Sequence, residues 1–87
     1  MYTLVFSKNA QRDSLNLKRA GLKEKTQAIL DRLKENPWHN PPPFEKLVGD
    51  LRGCYSRRIN IQHRLIYEVF EKEKTIKILR MWTHYGH

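Results

Sequence analysis

The sequence predicts an α+β fold: a small, mostly antiparallel sheet carrying two helices on one face. Three observations lead there. The hydrophobic period near the start of the chain is that of a strand and then changes to that of helices. A proline-rich stretch, Pro37 to Lys46, ends the helical region. From Leu51 onward the pattern returns to strands joined by short connections, which must pair antiparallel. Strand, helix, helix and then three strands give the order β-α-α-β-β-β, and elements segregated in this way pack as helices against a sheet.

The first element, Tyr2 to Phe6, alternates Tyr2, Leu4 and Phe6 with Thr3 and Val5, residue types that suit a pleated surface. Ser7 follows as a helix N-cap. The helix it opens runs to about Arg19, with Ala10, Ser14 and Leu17 on a thin apolar face, and Gly21 breaks it. Leu22 to Glu35 is the clearest helix. Leu22, Thr26, Ile29, Leu30 and Leu33 form one continuous stripe, while Lys23, Glu24, Lys25, Asp31, Arg32 and Lys34 lie opposite. Asn36-Pro37 stops it. The stretch from Pro37 to Lys46, with Pro41-Pro42-Pro43 at its centre, reads as a stiff extended connector. Cys54 to Ile61 reads as a strand. Arg64 to Phe70 has Leu65, Tyr67 and Val69 on one face and Ile66 and Phe70 on the other, the mark of a central strand. Glu71 to Lys74 is a hairpin turn, and Thr75 to Trp82 is the last strand.

The chain's 87 residues fit one domain. Lys and Arg outnumber Asp and Glu by 17 to 9, a net charge of +8. That asymmetry favours a polyanionic partner, nucleic acid first, although an anionic membrane or an acidic protein would satisfy the same charge. The single cysteine, Cys54, allows no internal disulfide and reads as structural filler, which suits a cytoplasmic protein. No stretch reaches transmembrane length and no secretory leader is visible, so no membrane role is expected. His39, His63, His84 and His87 lack metal-site spacing, and there is no phosphate-cradling glycine loop, so neither metal nor cofactor is expected.

RNA carries its own nucleophile, the 2′-hydroxyl. Cutting it requires a base, an acid for the leaving 5′-oxygen, and cations around the phosphate. Glu45 and the histidines are the candidate base and acid. Arg57, Arg58 and Arg64 form a basic cluster on adjacent strands, suited to a phosphate or to ion pairing with Glu45, Asp50 or Glu68. Each residue taken alone has an ordinary alternative: Glu45 as a solvated surface charge, His84 as a packed or surface histidine, and Tyr85 as a terminal aromatic.

Together they are more specific. Leu51-x-Gly53-x-x-Ser56-Arg57-Arg58-Ile59, then His63-Arg64-Leu65-Ile66-Tyr67, then His84-Tyr85, resemble the Txe/YoeB family of toxins within the RelE-like superfamily, most densely from Phe44 to Tyr85. The resemblance implies a ribosome-dependent endoribonuclease, an mRNA interferase of a type II toxin–antitoxin system. Such an enzyme cleaves mRNA in the ribosomal A site by metal-independent acid–base catalysis and so stops translation. It implies Glu45 as general base, Arg64 at the scissile phosphate, His84 as general acid, Tyr85 orienting the nucleotide, and Arg58 as a supporting cation. Lys46 and Arg52 are further phosphate contacts by charge, and Arg57 belongs to the same substrate-binding set. Two departures stand out: Val48 occupies a place that is often lysine in the family, and Gly86-His87 extend beyond the usual final tyrosine.

The resemblance also implies a cognate antitoxin of the YefM/Phd or Axe kind, the ribosome and mRNA as partners, homodimers, and operator DNA reached only through the antitoxin complex. The alternatives are a non-enzymatic ParE-like gyrase poison, against which the His-Tyr end argues, and a plain basic nucleic-acid-binding module.

Overall fold

A computed structural model of the chain describes residues 1–40 and 43–82. The elements are β1 (Thr3–Phe6), α1 (Lys8–Arg19), α2 (Lys23–Glu35), β2 (Phe44–Lys46), a 3₁₀ turn at Gly49–Leu51, β3 (Cys54–Arg58), β4 (Arg64–Phe70) and β5 (Thr75–Arg80). The five strands form one sheet in the order β1-β5-β4-β3-β2. Every neighbouring pair is antiparallel except β1 and β5, which run parallel. The predicted fold class is therefore the observed one, with one strand added. β2 lies inside the stretch expected to be a connector. Its three residues are too few to carry a period of their own, and their pairing with Arg57, Ser56 and Tyr55 is supplied by β3.

Local chemistry sets the boundaries. Ser7 caps α1 as expected: its Oγ accepts from Ala10 N at 3.0 Å and donates to Leu79 O at 2.8 Å, tying the helix start to β5. At the other end Gly21 takes φ +75°, where Leu22 N reaches Leu17 O at 2.9 Å and Gly21 N reaches Lys18 O at 3.2 Å. This left-handed turn satisfies the last helical carbonyls and is open to glycine at little steric cost. β3 stops at Arg58, short of the expected Ile61, because the Asn60 side chain captures the backbone N–H groups of Gln62 and His63 at 2.9 and 2.7 Å. β5 stops at Arg80 rather than Trp82 because the Asp13 carboxylate on α1 captures the backbone N–H groups of Met81 and Trp82 at 2.9 and 3.2 Å.

Both helices lie on one face of the sheet. Ala10, Leu17, Ile29, Leu30 and Leu33 pack there against Leu65, Tyr67, Ile76 and Ile78 in the main core, with Ile59 and Met81. The opposite face carries a smaller cluster of Leu47, Cys54 and Ile66, with Leu51 and Leu79 against it. Cys54 is buried there, and burial pushes its thiol pKa up, followed by the nearby Glu68 charge, so it behaves as filler. No helix among the described residues is long and apolar enough to cross a membrane.

Candidate functional site

On the face without helices, the strand register assembles a charged group. Glu45 on β2 stands opposite Ser56 on β3, and Ser56 stands opposite Ile66 on β4. Arg64 and Arg58 face each other across the same pair of strands, two residues further along. The side-chain period of two puts Glu45, Ser56, Arg58 and Arg64 on one side. The Arg64 guanidinium donates from Nη1 to Glu45 Oε1 at 2.6 Å and to the buried Ser56 Oγ at 3.5 Å. Arg64 is largely covered, its side chain 18% exposed, whereas Glu45 is 64% exposed. A half-buried cation therefore holds an accessible carboxylate. The hydrogen bond from Arg64 and its charge, with a smaller contribution from Arg58, keep the Glu45 carboxyl below the usual glutamate range, against the opposing effect of desolvation.

The other expected phosphate contacts are distributed differently. Arg58 is exposed beside the pair, and Arg52 is exposed just after the 3₁₀ turn. Lys46 is exposed but stands opposite Tyr55, on the other side of its strand from Glu45. Arg57 requires a correction. It is buried at 2% exposure on the helix side, where its guanidinium donates to Pro37 O at 2.9 Å and to the Tyr67 hydroxyl at 3.2 Å, and lies 5.0 Å over the Phe44 ring. Of two consecutive arginines on a strand, the pleat must send one to each face, and Arg57 is the one turned inward. It fastens the proline-rich connector to the sheet.

His84 and Tyr85, like Gly86 and His87, lie outside the described residues. Arg80, the last residue of β5, pairs with Ile66, so the register row Glu45–Ser56–Ile66–Arg80 crosses four strands. Past Arg80 the chain runs antiparallel to β4 toward its first residue, Arg64. There the Trp82 ring stacks on the buried His63 ring, with centroids 3.7 Å apart and planes 18° from parallel. Trp82 thus ends the described chain against the residue that precedes Arg64, on the side of the main core. Among the described residues no three His, Cys, Asp or Glu side chains come together as a metal-binding group.

Two contributors were missed in the sequence. Ser56 appears in the motif as a letter, yet its buried hydroxyl sits between β2 and β4 and contacts Arg64. Asp13 falls three residues after Ala10 and four before Leu17, a core-facing position on α1, and is 4% exposed. A carboxylate on a helix's apolar stripe is the signal that could have revealed it.

A family model described as the YoeB-like toxin of bacterial type II toxin–antitoxin systems matches residues 6–85. No curated protein matches. Among solved structures, the YoeB/ParE toxin from Agrobacterium tumefaciens superposes with a TM-score of 0.85 at 28% identity, covering 95% of this chain and 99% of that one. YoeB of Staphylococcus aureus, in a heterotetrameric complex with YefM, gives 0.80 at 32% identity over 98% and 99% of the two chains. The same toxin solved as a dimer gives 0.81 over 97% and 98%. Escherichia coli YafQ shares the fold, with a TM-score of 0.81 over 99% and 100% of the chains at 17% identity. With the family model spanning nearly all of the chain and whole-length likeness to a YoeB at 32% identity, the chain belongs to the YoeB-like toxins of bacterial type II toxin–antitoxin systems.

Proposed function

We propose that this toxin is a ribosome-dependent endoribonuclease that cleaves mRNA in the A site by acid–base catalysis. The observation that carries the proposal is the Glu45–Arg64 pair, with Ser56 behind it and Arg58 beside it, on an accessible face of a protein with net charge +8. In the free protein Arg64 holds the Glu45 carboxylate. An incoming scissile phosphate competes for the Arg64 guanidinium, since arginine pairs with phosphate as well as with carboxylate. The carboxylate, ionised at neutral pH, then accepts the proton of the 2′-hydroxyl. The 2′-oxygen forms its bond to phosphorus as the bond to the 5′-oxygen breaks, and His84 donates the proton to that leaving oxygen. Arg64 and Arg58 stabilise the charge gathered on the phosphate. Tyr85 orients the nucleotide by stacking on a splayed base, and Arg52 contacts the RNA backbone. The nucleophile comes from the substrate itself, so the scheme requires no metal.

The chain's setting follows from the same reading. An antitoxin of the YefM/Phd or Axe kind binds it with an acidic segment in the cytoplasm, the toxin self-associates as the S. aureus YoeB dimer does, and operator DNA is reached through the antitoxin complex. The test is incubation of the pure protein with programmed ribosomes and mRNA, with 5′ ends mapped by primer extension. Cuts in the A-site codon that require the ribosome and vanish in Glu45→Ala and His84→Ala are expected. Cuts that persist in both variants would discard this acid–base pair. A folded protein that cuts nothing and blocks DNA supercoiling would replace the nuclease with a gyrase poison.

A further inference from the structure

Glu45 sits on a three-residue strand at the edge of the sheet, paired with β3 on one side only. Three residues give a short ladder, and an edge strand lacks a second neighbour to hold its tilt. The residue before Glu45, Phe44, points to the opposite face, as the pleat requires, and stands opposite Arg57. There the Phe44 ring is held from three directions. The Trp38 ring lies 5.9 Å away at 56°, the Tyr55 ring 5.9 Å away at 73°, and the Arg57 guanidinium 5.0 Å over its face. Each of these is fixed in turn. Trp38 donates from Nε1 to Glu71 Oε2 at 3.0 Å and meets Tyr55 edge-on at 4.9 Å. Arg57 donates to Pro37 O and to the Tyr67 hydroxyl, which itself donates to Pro37 O at 3.1 Å. Glu71 also accepts from the Tyr2 hydroxyl at 2.8 Å, which ties the group to the start of β1. An aliphatic side chain at position 44 would fill the space, but only a ring takes a guanidinium on its face and two further rings at set tilts.

We propose that Phe44 is a positioning residue for Glu45: clamped by Trp38, Tyr55 and Arg57 on the helix face, it fixes how the Glu45 carboxylate meets Arg64 on the other. The proposal rests on the nuclease reading above, in which Glu45 is the base. Adjacent Cα atoms are about 3.8 Å apart across a planar peptide, so no hinge lies between the two side chains. A change of tilt at Phe44 is therefore passed directly to Glu45, whose 2.6 Å bond to Arg64 Nη1 tolerates little displacement. Arg64 belongs to β4, which has a neighbouring strand on each side, so the edge strand carries the adjustable partner of the pair. The clamp reaches the chemistry only through Glu45. Its rings set the strand on one face of the sheet, and the carboxylate acts on the other.

The test compares Phe44→Leu and Phe44→Tyr with the parent in the full chain. Ser7→Ala, whose lost contacts lie on α1 and β5, serves as a control for lowered stability alone. Two quantities are read: the Glu45 carboxyl titration by carbon-detected NMR in the free protein, and the cleavage of mRNA on programmed ribosomes. In Phe44→Leu the Glu45 midpoint should rise toward the ordinary glutamate range as the bond from Arg64 loosens. Its kcat should fall by on the order of 10²-fold with KM unchanged, since misplacement of a catalytic group by about 1 Å costs that much. Phe44→Tyr retains the ring and should keep the parent's midpoint and most of its rate. Ser7→Ala should lose stability and move neither quantity. If Phe44→Leu does not fold, Trp38→Leu, which removes one side of the clamp, is read in the same way. An unmoved midpoint, an undiminished kcat, a loss carried by KM, or equal changes in Ser7→Ala overturns the positioning role while leaving the nuclease reading intact. A parent protein that cuts no ribosomal mRNA overturns the nuclease reading and this inference with it, whatever the titration shows.

Discussion

At the scale of single residues, position on the pleat decides what each charge does. Arg57 and Arg58 are neighbours in sequence with identical chemistry, yet one is buried against Phe44 and Tyr67 while the other faces solvent beside Glu45. Arg57→Ala should destabilise the fold by about 1.5–3 kcal/mol, because the Pro37 carbonyl and the Tyr67 hydroxyl lose their buried charged donor and keep only their bond to each other. Urea unfolding at constant slope would measure it; Arg58→Ala should lie within about 0.5 kcal/mol of wild type, as exposed substitutions usually do. Glu45 yields a titration prediction. Its carboxyl is held below the usual glutamate range, first by the Arg64 hydrogen bond. Folded pKa below unfolded pKa means that the carboxylate's contribution to stability is present above the unfolded value and lost as pH falls through the folded one. Carbon-detected NMR titration should find Glu45 titrating below the ordinary glutamate range, and Arg64→Ala should move it upward. A midpoint unmoved by Arg64→Ala would show that the pair does not persist in solution.

At the scale of elements, what could be read from the sequence divides by whether a segment carries its own signal. The Leu22–Leu33 stripe, the alternation in Arg64–Phe70, the Ser7 cap and the Gly21 stop were legible because each is a local rule expressed over enough residues. β2 was not, since three residues following a run of prolines have no period and the strand exists only through its ladder to β3. The true ends of β3 and β5 were hidden because side chains capture the backbone there, Asn60 from just past β3 itself and Asp13 from α1. Of the site, Glu45, Arg58 and Arg64 were legible through the motif and do share a face, whereas the inward turn of Arg57 depended on strand register, which sequence spacing alone left open. Ser7 joins two of these elements, capping α1 and bonding Leu79 O on β5. Ser7→Ala should therefore cost about 1–2 kcal/mol, the upper part of the range for a lost cap because a strand contact goes with it. Thermal unfolding would register this as a lowered Tm with an intact far-UV spectrum, and Ser7→Asp, which caps but cannot donate to Leu79, should recover only the helix's share.

At the scale of the whole molecule, the sheet separates two jobs. One face is committed to the helices and the main core; the other carries the Glu45–Arg64 group over a small apolar floor. With a net charge of +8, binding to RNA should be dominated by displaced counterions, so affinity should fall steeply and linearly in log–log terms as salt rises. That slope reports how many phosphates the protein engages, at about 0.7 per phosphate for a single strand. A fully 2′-O-methylated oligonucleotide removes the nucleophile and allows binding to be measured without cleavage. Arg58 and Lys46 are both exposed cations, one on the Glu45 side of the sheet and one on the other side of the edge strand. If RNA lies along the helix-free face, Arg58→Ala should reduce the slope by about 0.7 while Lys46→Ala leaves it unchanged. Equal reductions would mean that the strand wraps the β2 edge and touches both faces. A reduction from Lys46→Ala alone would move the RNA off the Glu45 face, and the pair described here would then lose its claim to the chemistry.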